Sequence, residues 1–190
     1  LVETFAFVQV GVPSRSDVPG YAEISTEIDG LVARLNAKYG GSSGRGPIRY
    51  IATSLQMPQL VALYRLADFC IVSSLHDGMN LVAKEFIAAR DDEQGVLVLS
   101  HFTGAARELT EALSVNPYDL EEASAALAAA LLMPKDEQRD RMRAMRALVA
   151  EFNVYRWAGR MLVDAARLRR RERLSGRLSQ QLPGSAGGAD

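Results

Sequence analysis

The run Asp77-Gly78-Met79-Asn80-Leu81-Val82-Ala83-Lys84-Glu85 sets two carboxylates around a glycine turn and the opening of an apolar helix. The apolar stretch Phe69-Cys70-Ile71-Val72 leads into it as a strand, and the helix is expected from Leu81 to about Arg90. A helix start carries unpaired backbone N–H groups and the positive end of a dipole, which together bind anions. Gly78 is expected to allow a backbone path that a side chain would block. Glu85 falls one turn inside the helix, where its carboxylate can accept hydrogen bonds from sugar hydroxyls. The arrangement suits a nucleotide sugar, with phosphates at the helix tip, ribose at Glu85 and the transferred sugar near Asp77. Read by itself, the segment also makes an ordinary Asp-Gly turn with Asn80 as helix cap. Both readings stay open at this level.

The chain has 190 residues, 48% of them hydrophobic, which suffices for one core. A net charge of −1 gives no field that would draw the protein to nucleic acid or to an anionic membrane. The arginines at 167, 169, 170, 171, 173 and 177 read as a solvated helix end, since no aromatic residues interleave them. Apolar runs are too short and interrupted for a transmembrane span. The single cysteine, Cys70, sits in an apolar strand as a small core residue, and the expected compartment is the cytosol. One Cys with His76 and His101 makes no zinc signature.

Elements alternate along the chain. Strands are expected at 5–10, 48–51, 69–73, 96–99 and 113–115, each short and nearly continuously apolar. Between the first two, Tyr21, Ile24, Ile28, Leu31 and Leu35 recur at helical spacing; Leu60, Leu63, Tyr64 and Ala67 form the next helical face. Thr103 is expected to cap a helix running to Leu113. This βαβαβαβαβ order predicts an α/β fold, a Rossmann-like parallel sheet with helices on both faces, followed by C-terminal helices. Ligands of such sheets bind beyond the carboxyl ends of the strands. Arg15, Asp77 to Leu81 and Phe102 to Ala106 all follow strand ends. Trp157, on the last amphipathic helix, reads as an anchor to a core. The expected division is a Rossmann-like domain over 1–153, a last amphipathic helix over 154–174 and a disordered tail over 175–190.

Several stretches together resemble the trehalose-6-phosphate synthase family. They are Asp77 to Glu85 with Ala88-Ala89, Val12-Pro13-Ser14-Arg15-Ser16-Asp17-Val18, the run from Leu60 to Asp68, Val96 to Ser100 with Gly104-Ala105-Ala106, and Val115-Asn116-Pro117-Tyr118-Asp119. The similarity extends from about Phe5 to Leu168. The resemblance implies a retaining glucosyltransferase of GT-B architecture, of which this chain is the C-terminal, donor-binding half. Such enzymes move glucose from UDP-glucose to glucose 6-phosphate and need no metal or other cofactor.

The resemblance also assigns roles. Asp77, the catalytic-site residue, would hydrogen-bond the donor glucose, and Gly78, Met79 and Asn80 would line the sugar and diphosphate. Leu81 and Val82 would give amides to the diphosphate, and Glu85 would take the ribose. Ala83 and Lys84 complete the donor segment, although Lys84 is expected to face solvent or pair nearby. Leu55 would meet the uracil and Arg15 would hold the acceptor phosphate. His76 stands where the family usually carries arginine. The family's N-terminal acceptor domain is not in this chain, so the chain is expected to be inactive alone, and a homo-oligomer is left open. Two alternatives remain beside this expectation: a related enzyme with another phosphorylated acceptor, such as glycerol 3-phosphate, or a non-catalytic nucleotide-sugar sensor.

Overall fold

A computed structural model describes residues 5–12, 19–40 and 46–181. The chain divides into two compact units, residues 1–60 and 61–190. In the first, strand β1 (Phe7–Val10) pairs in parallel with β2 (Ile48–Ile51), with Phe7 opposite Ile48. Helix α1 (Pro19–Tyr39) makes the crossover. Its Asn36 amide clamps the start of β2, giving Nδ2 to the Ile48 carbonyl at 3.0 Å and accepting the Ile48 N–H at 2.9 Å. Helix α2 (Met57–Leu66) begins in this unit and ends in the second.

The second unit holds β3 (Phe69–Val72), β4 (Val96–Ser100) and β5 (Leu113–Val115), all parallel in the order β3-β4-β5. Every residue of β4 is buried, as a central strand covered on both faces must be. Strand alternation separates its side chains. Leu97 and Leu99 join Phe86 and Ile87 of α3 (Leu81–Ala89) and Met142 and Met145 of α5 (Lys135–Glu151). Val96 and Val98 join Val115, together with Ala130 and Met133 at the end of α4 (Leu120–Leu132). Helices thus cover both faces, and each fully buried large side chain contributes roughly 1.5–3 kcal/mol.

The parallel α/β expectation holds. Each unit carries its own parallel ladder, β1-β2 in the first and β3-β4-β5 in the second. Element order fixes strand direction and crossovers, not which strands are neighbours. The helix expected from Thr103 is a single 3-10 turn, Gly104–Arg107, because the Thr103 hydroxyl donates to the Ser100 carbonyl at 2.9 Å and does not cap a helix. The tail expected from Ser175 is instead the continuation of α6 (Val154–Gln181), since Ser and Gln carry only a modest helix penalty; residues 182–190 lie outside the described residues. Trp157 on α6 is 61% exposed and anchors no core among the described residues.

Candidate functional site

The loop after β3 and the loop after β4 are bonded to each other. Asp77 N–H donates to the Phe102 carbonyl at 3.3 Å, Gly104 N–H to the Asp77 carbonyl at 2.9 Å, and Ala105 N–H to the Met79 carbonyl at 2.8 Å. Asp77 and Thr103 form a parallel bridge, so the β3–β4 pairing resumes beyond the strands. The second loop is bonded within itself: Thr103 and Ser100 are buried, and Ser100 Oγ accepts the Phe102 amide at 3.2 Å.

Within the first loop, the Asp77 carboxylate holds the turn. Its Oδ1 accepts the Met79 and Asn80 amides at 3.0 and 3.1 Å, and its Oδ2 accepts Asn80 Nδ2 at 3.0 Å. The Met79 amide bond keeps the carboxyl below the usual carboxylate range, and the two bonds from Asn80 work in the same direction against partial desolvation. A carboxylate offers about four acceptor positions. With both on Oδ1 filled, what remains for a ligand is on Oδ2. Asn80 caps α3 from a left-handed backbone, φ 74°, accepting the Ala83 amide on Oδ1 at 2.9 Å. The turn-and-cap reading is therefore what these two side chains do in the structure.

That capping leaves a defined gap. The Met79, Asn80 and Ala83 amides are bonded within the loop and helix. Among the described residues, the Leu81 and Val82 amides donate to no protein group. The two residues are 60% and 43% exposed, so solvent or a ligand reaches this end of the helix. Two adjacent free amides at a helix N-terminus are a ready anion clamp. Glu85 shares a helix face with Leu81 at i, i+4 and is half-buried. Its Oε2 accepts the Tyr64 hydroxyl at 3.1 Å, while Oε1 has no partner among the described residues.

Other expected site residues fall elsewhere. Ala83 is fully buried and its amide donates to Asn80 Oδ1 at 2.9 Å. The Lys84 ammonium is paired with Glu108 Oε2 at 2.6 Å. Gly78 is not required by the protein itself: a Cβ there meets nothing within 4 Å, and its φ is not left-handed. The close approach is at Gly104, where a Cβ would stand 2.1 Å from the Gly78 carbonyl oxygen. Leu55 is half-buried in the loop between β2 and α2 of the first unit. Arg15 lies outside the described residues. His76 is exposed beside Asp77. Cys70 is an unpaired thiol pushed up to about 12 by burial, as a core residue should be. Among the described residues, no group of three or more His, Cys, Asp or Glu is placed to hold a metal ion, and no helix is long and apolar enough to cross a membrane. Spacing did not show Gly104 or Tyr64, because both act across the fold.

Residues 1–167 match the family described as Glycosyltransferase family 20. The chain belongs to that family. Among its curated relatives is a bifunctional trehalose-6-phosphate synthase/phosphatase of Thermoproteus tenax, 46% identical over 151 residues. A trehalose-6-phosphate synthase of Klebsiella pneumoniae is 42% identical over 159 residues. These alignments take in 80% and 83% of this chain but only 20% and 33% of the relatives' lengths. The family 20 chain is thus similar to a part of each. Among solved structures, the UDP-forming alpha,alpha-trehalose-phosphate synthase of Burkholderia xenovorans in complex with glucose-6-phosphate superposes with a TM-score of 0.79 at 42% identity, over 84% of this chain and 35% of that one. An E. coli structure bound with UDP-2-fluoro glucose gives 0.80 at 40% identity, over 84% and 35%.

Proposed function

We propose that this family 20 chain is the donor-binding half of an alpha,alpha-trehalose-phosphate synthase, a retaining enzyme that moves glucose from UDP-glucose to glucose 6-phosphate. The products are trehalose 6-phosphate and UDP. The observation that carries this reading is the pair of free amides at Leu81 and Val82 with the Glu85 carboxylate one turn deeper. The amides hold the donor diphosphate, Glu85 accepts the ribose hydroxyls, and the remaining acceptor position on Asp77 takes a hydroxyl of the donor glucose. Leu55 meets the uracil and Arg15 the acceptor phosphate. The relatives' names, and the glucose-6-phosphate and UDP-sugar analogue bound in two of them, support this choice of donor and acceptor.

In the reaction, the acceptor hydroxyl oxygen bonds to the anomeric carbon on the face from which the diphosphate leaves. The bond from that carbon to the phosphate oxygen breaks, and the acceptor proton passes to the departing phosphate. Charge builds on the diphosphate as this happens. Fixed amides already aimed at it stabilise that charge without reorganising. The acceptor must be held in line by the rest of the enzyme, a positioning term that reaches several kcal/mol in favourable cases. On this reading the reaction runs in the cytoplasm and requires no metal or other cofactor.

The full polypeptide that contains this chain, given UDP-glucose and glucose 6-phosphate, should release UDP and trehalose 6-phosphate in equal amounts by mass spectrometry. UDP release without a disaccharide phosphate, or product only with glycerol 3-phosphate, overturns the assignment of the acceptor. Gly78 gives a cleaner view of the donor. Because its added Cβ meets no protein atom, Gly78→Val is expected to leave folding stability within about 0.5 kcal/mol. A donor lying against that backbone then loses about tenfold or more in affinity. Calorimetry showing the wild-type donor affinity in a stable Gly78→Val protein would contradict close approach at this residue.

A further inference from the structure

Glu85 is not a free carboxylate. Tyr64, in the last turn of α2 and within the second unit, reaches it across the fold and donates its hydroxyl to Oε2 at 3.1 Å. Tyr64 is fixed at both ends. Its ring packs edge-on against Phe86, with centroids 6.2 Å apart and planes at 76°. Its main-chain carbonyl accepts Arg90 Nη1 at 3.1 Å. Arg90 is only 5% exposed, also donates to the Arg65 carbonyl at 3.0 Å, and is pinned by the Asp92 carboxylate at 2.9 and 3.0 Å.

We propose that Tyr64 is a positioning residue for the donor's pentose: its hydroxyl orients the Glu85 carboxylate so that the free oxygen meets a ribose hydroxyl, and the site thereby distinguishes ribose from deoxyribose. This rests on the reading of Glu85 as the ribose acceptor. A long carboxylate side chain otherwise samples several rotamers, and ordering it on binding costs affinity. With Oε2 held by a phenol anchored through ring and carbonyl, Oε1 is presented in one direction before the donor arrives. Burial, and then the neighbouring Glu85 charge, push the Tyr64 phenol well above its ordinary value, so it stays a donor throughout the working pH range. A site built to bond a particular hydroxyl rejects the analogue lacking it strongly, because its polar group is left unpaired.

The test compares KM and Kd for UDP-glucose and for its 2′-deoxy and 3′-deoxyribose analogues, in the full polypeptide. Tyr64→Phe keeps the ring and its packing and removes only the hydroxyl. It should weaken UDP-glucose binding by about fivefold to tenfold. It should leave at least one deoxy donor unaffected, so that the ribose preference shrinks toward that of Glu85→Ala. In the double variant Tyr64→Phe with Glu85→Ala, the tyrosine substitution should add nothing. A uniform loss for all three donors, or no change in the ribose preference while Glu85→Ala abolishes it, overturns the role of Tyr64. If Glu85→Ala itself leaves the ribose preference intact, it is the ribose assignment of Glu85 that falls, and with it the proposal built on it.

Discussion

Valine in place of Gly104 is expected to cost the protein UDP-glucose binding while the β3-β4-β5 ladder survives. The added Cβ would lie 2.1 Å from the Gly78 carbonyl oxygen and 2.8 Å from its carbonyl carbon. Nonbonded heavy atoms settle at about 3.5–4.0 Å. The obstructing atoms are main chain and cannot rotate away, so one loop must move by about an ångström. That movement strains or breaks the bonds from Gly104 to Asp77 and from Ala105 to Met79. Overpacking of this kind costs about 1–3 kcal/mol. The functional loss is larger, because a misplacement of about 1 Å in a positioning element can reduce turnover about a hundredfold. Thermal melts with donor calorimetry separate the two effects. Wild-type donor affinity in the valine variant would mean that the contact between these loops does not hold the site.

Alanine at Asn80 should give the next largest effect. Asn80 combines two things that alanine lacks: a side-chain oxygen on the Ala83 amide and tolerance of φ 74°. Loss of an N-cap costs about 1 kcal/mol. Placing an ordinary residue in the left-handed region costs roughly 1–2 kcal/mol more. The Nδ2 bonds to Asp77 Oδ2 at 3.0 Å and to Ser74 Oγ at 3.4 Å are lost as well. The sum is about 2–3 kcal/mol, read from the urea midpoint at constant slope. Asn80→Gly is the control. Glycine keeps the backbone freedom and costs only a few tenths of a kcal/mol as a cap. If alanine proves as stable as glycine here, the left-handed cap is not what starts α3.

The strand-turn-helix at 69–89 was legible because its signals are local. A short apolar strand, an Asp-Gly turn, a capping Asn and an apolar helix follow one another between Phe69 and Ala89. On α5, Met142 and Met145 stand at helical spacing and are buried, whereas Phe152 at the end of that helix is 46% exposed. What covers a face was less legible. Ile24 and Leu31 of α1 sit on the expected stripe yet are 55% and 46% exposed. Periodicity marks an apolar side without naming its partner. The division of labour at the site was hidden for the same reason. Spacing could put Asp77, Asn80, Leu81 and Val82 at a helix tip, but only the folded loop shows that Asp77 and Asn80 bond three of the amides and leave Leu81 and Val82 open. Tyr64 lies 21 residues from Glu85, and Gly104 meets Gly78 only because β3 and β4 are neighbours. These contacts are tertiary, and no local pattern encodes them.

The clamp at the start of α3 is open to direct observation by backbone amide resonances and hydrogen exchange of the protein titrated with UDP-glucose. At saturation the Leu81 and Val82 amides should shift downfield and exchange more slowly, while those of Met79, Asn80 and Ala83, bonded beforehand, change little. Saturable donor binding that leaves the Leu81 and Val82 amides unshifted and unprotected would contradict the clamp.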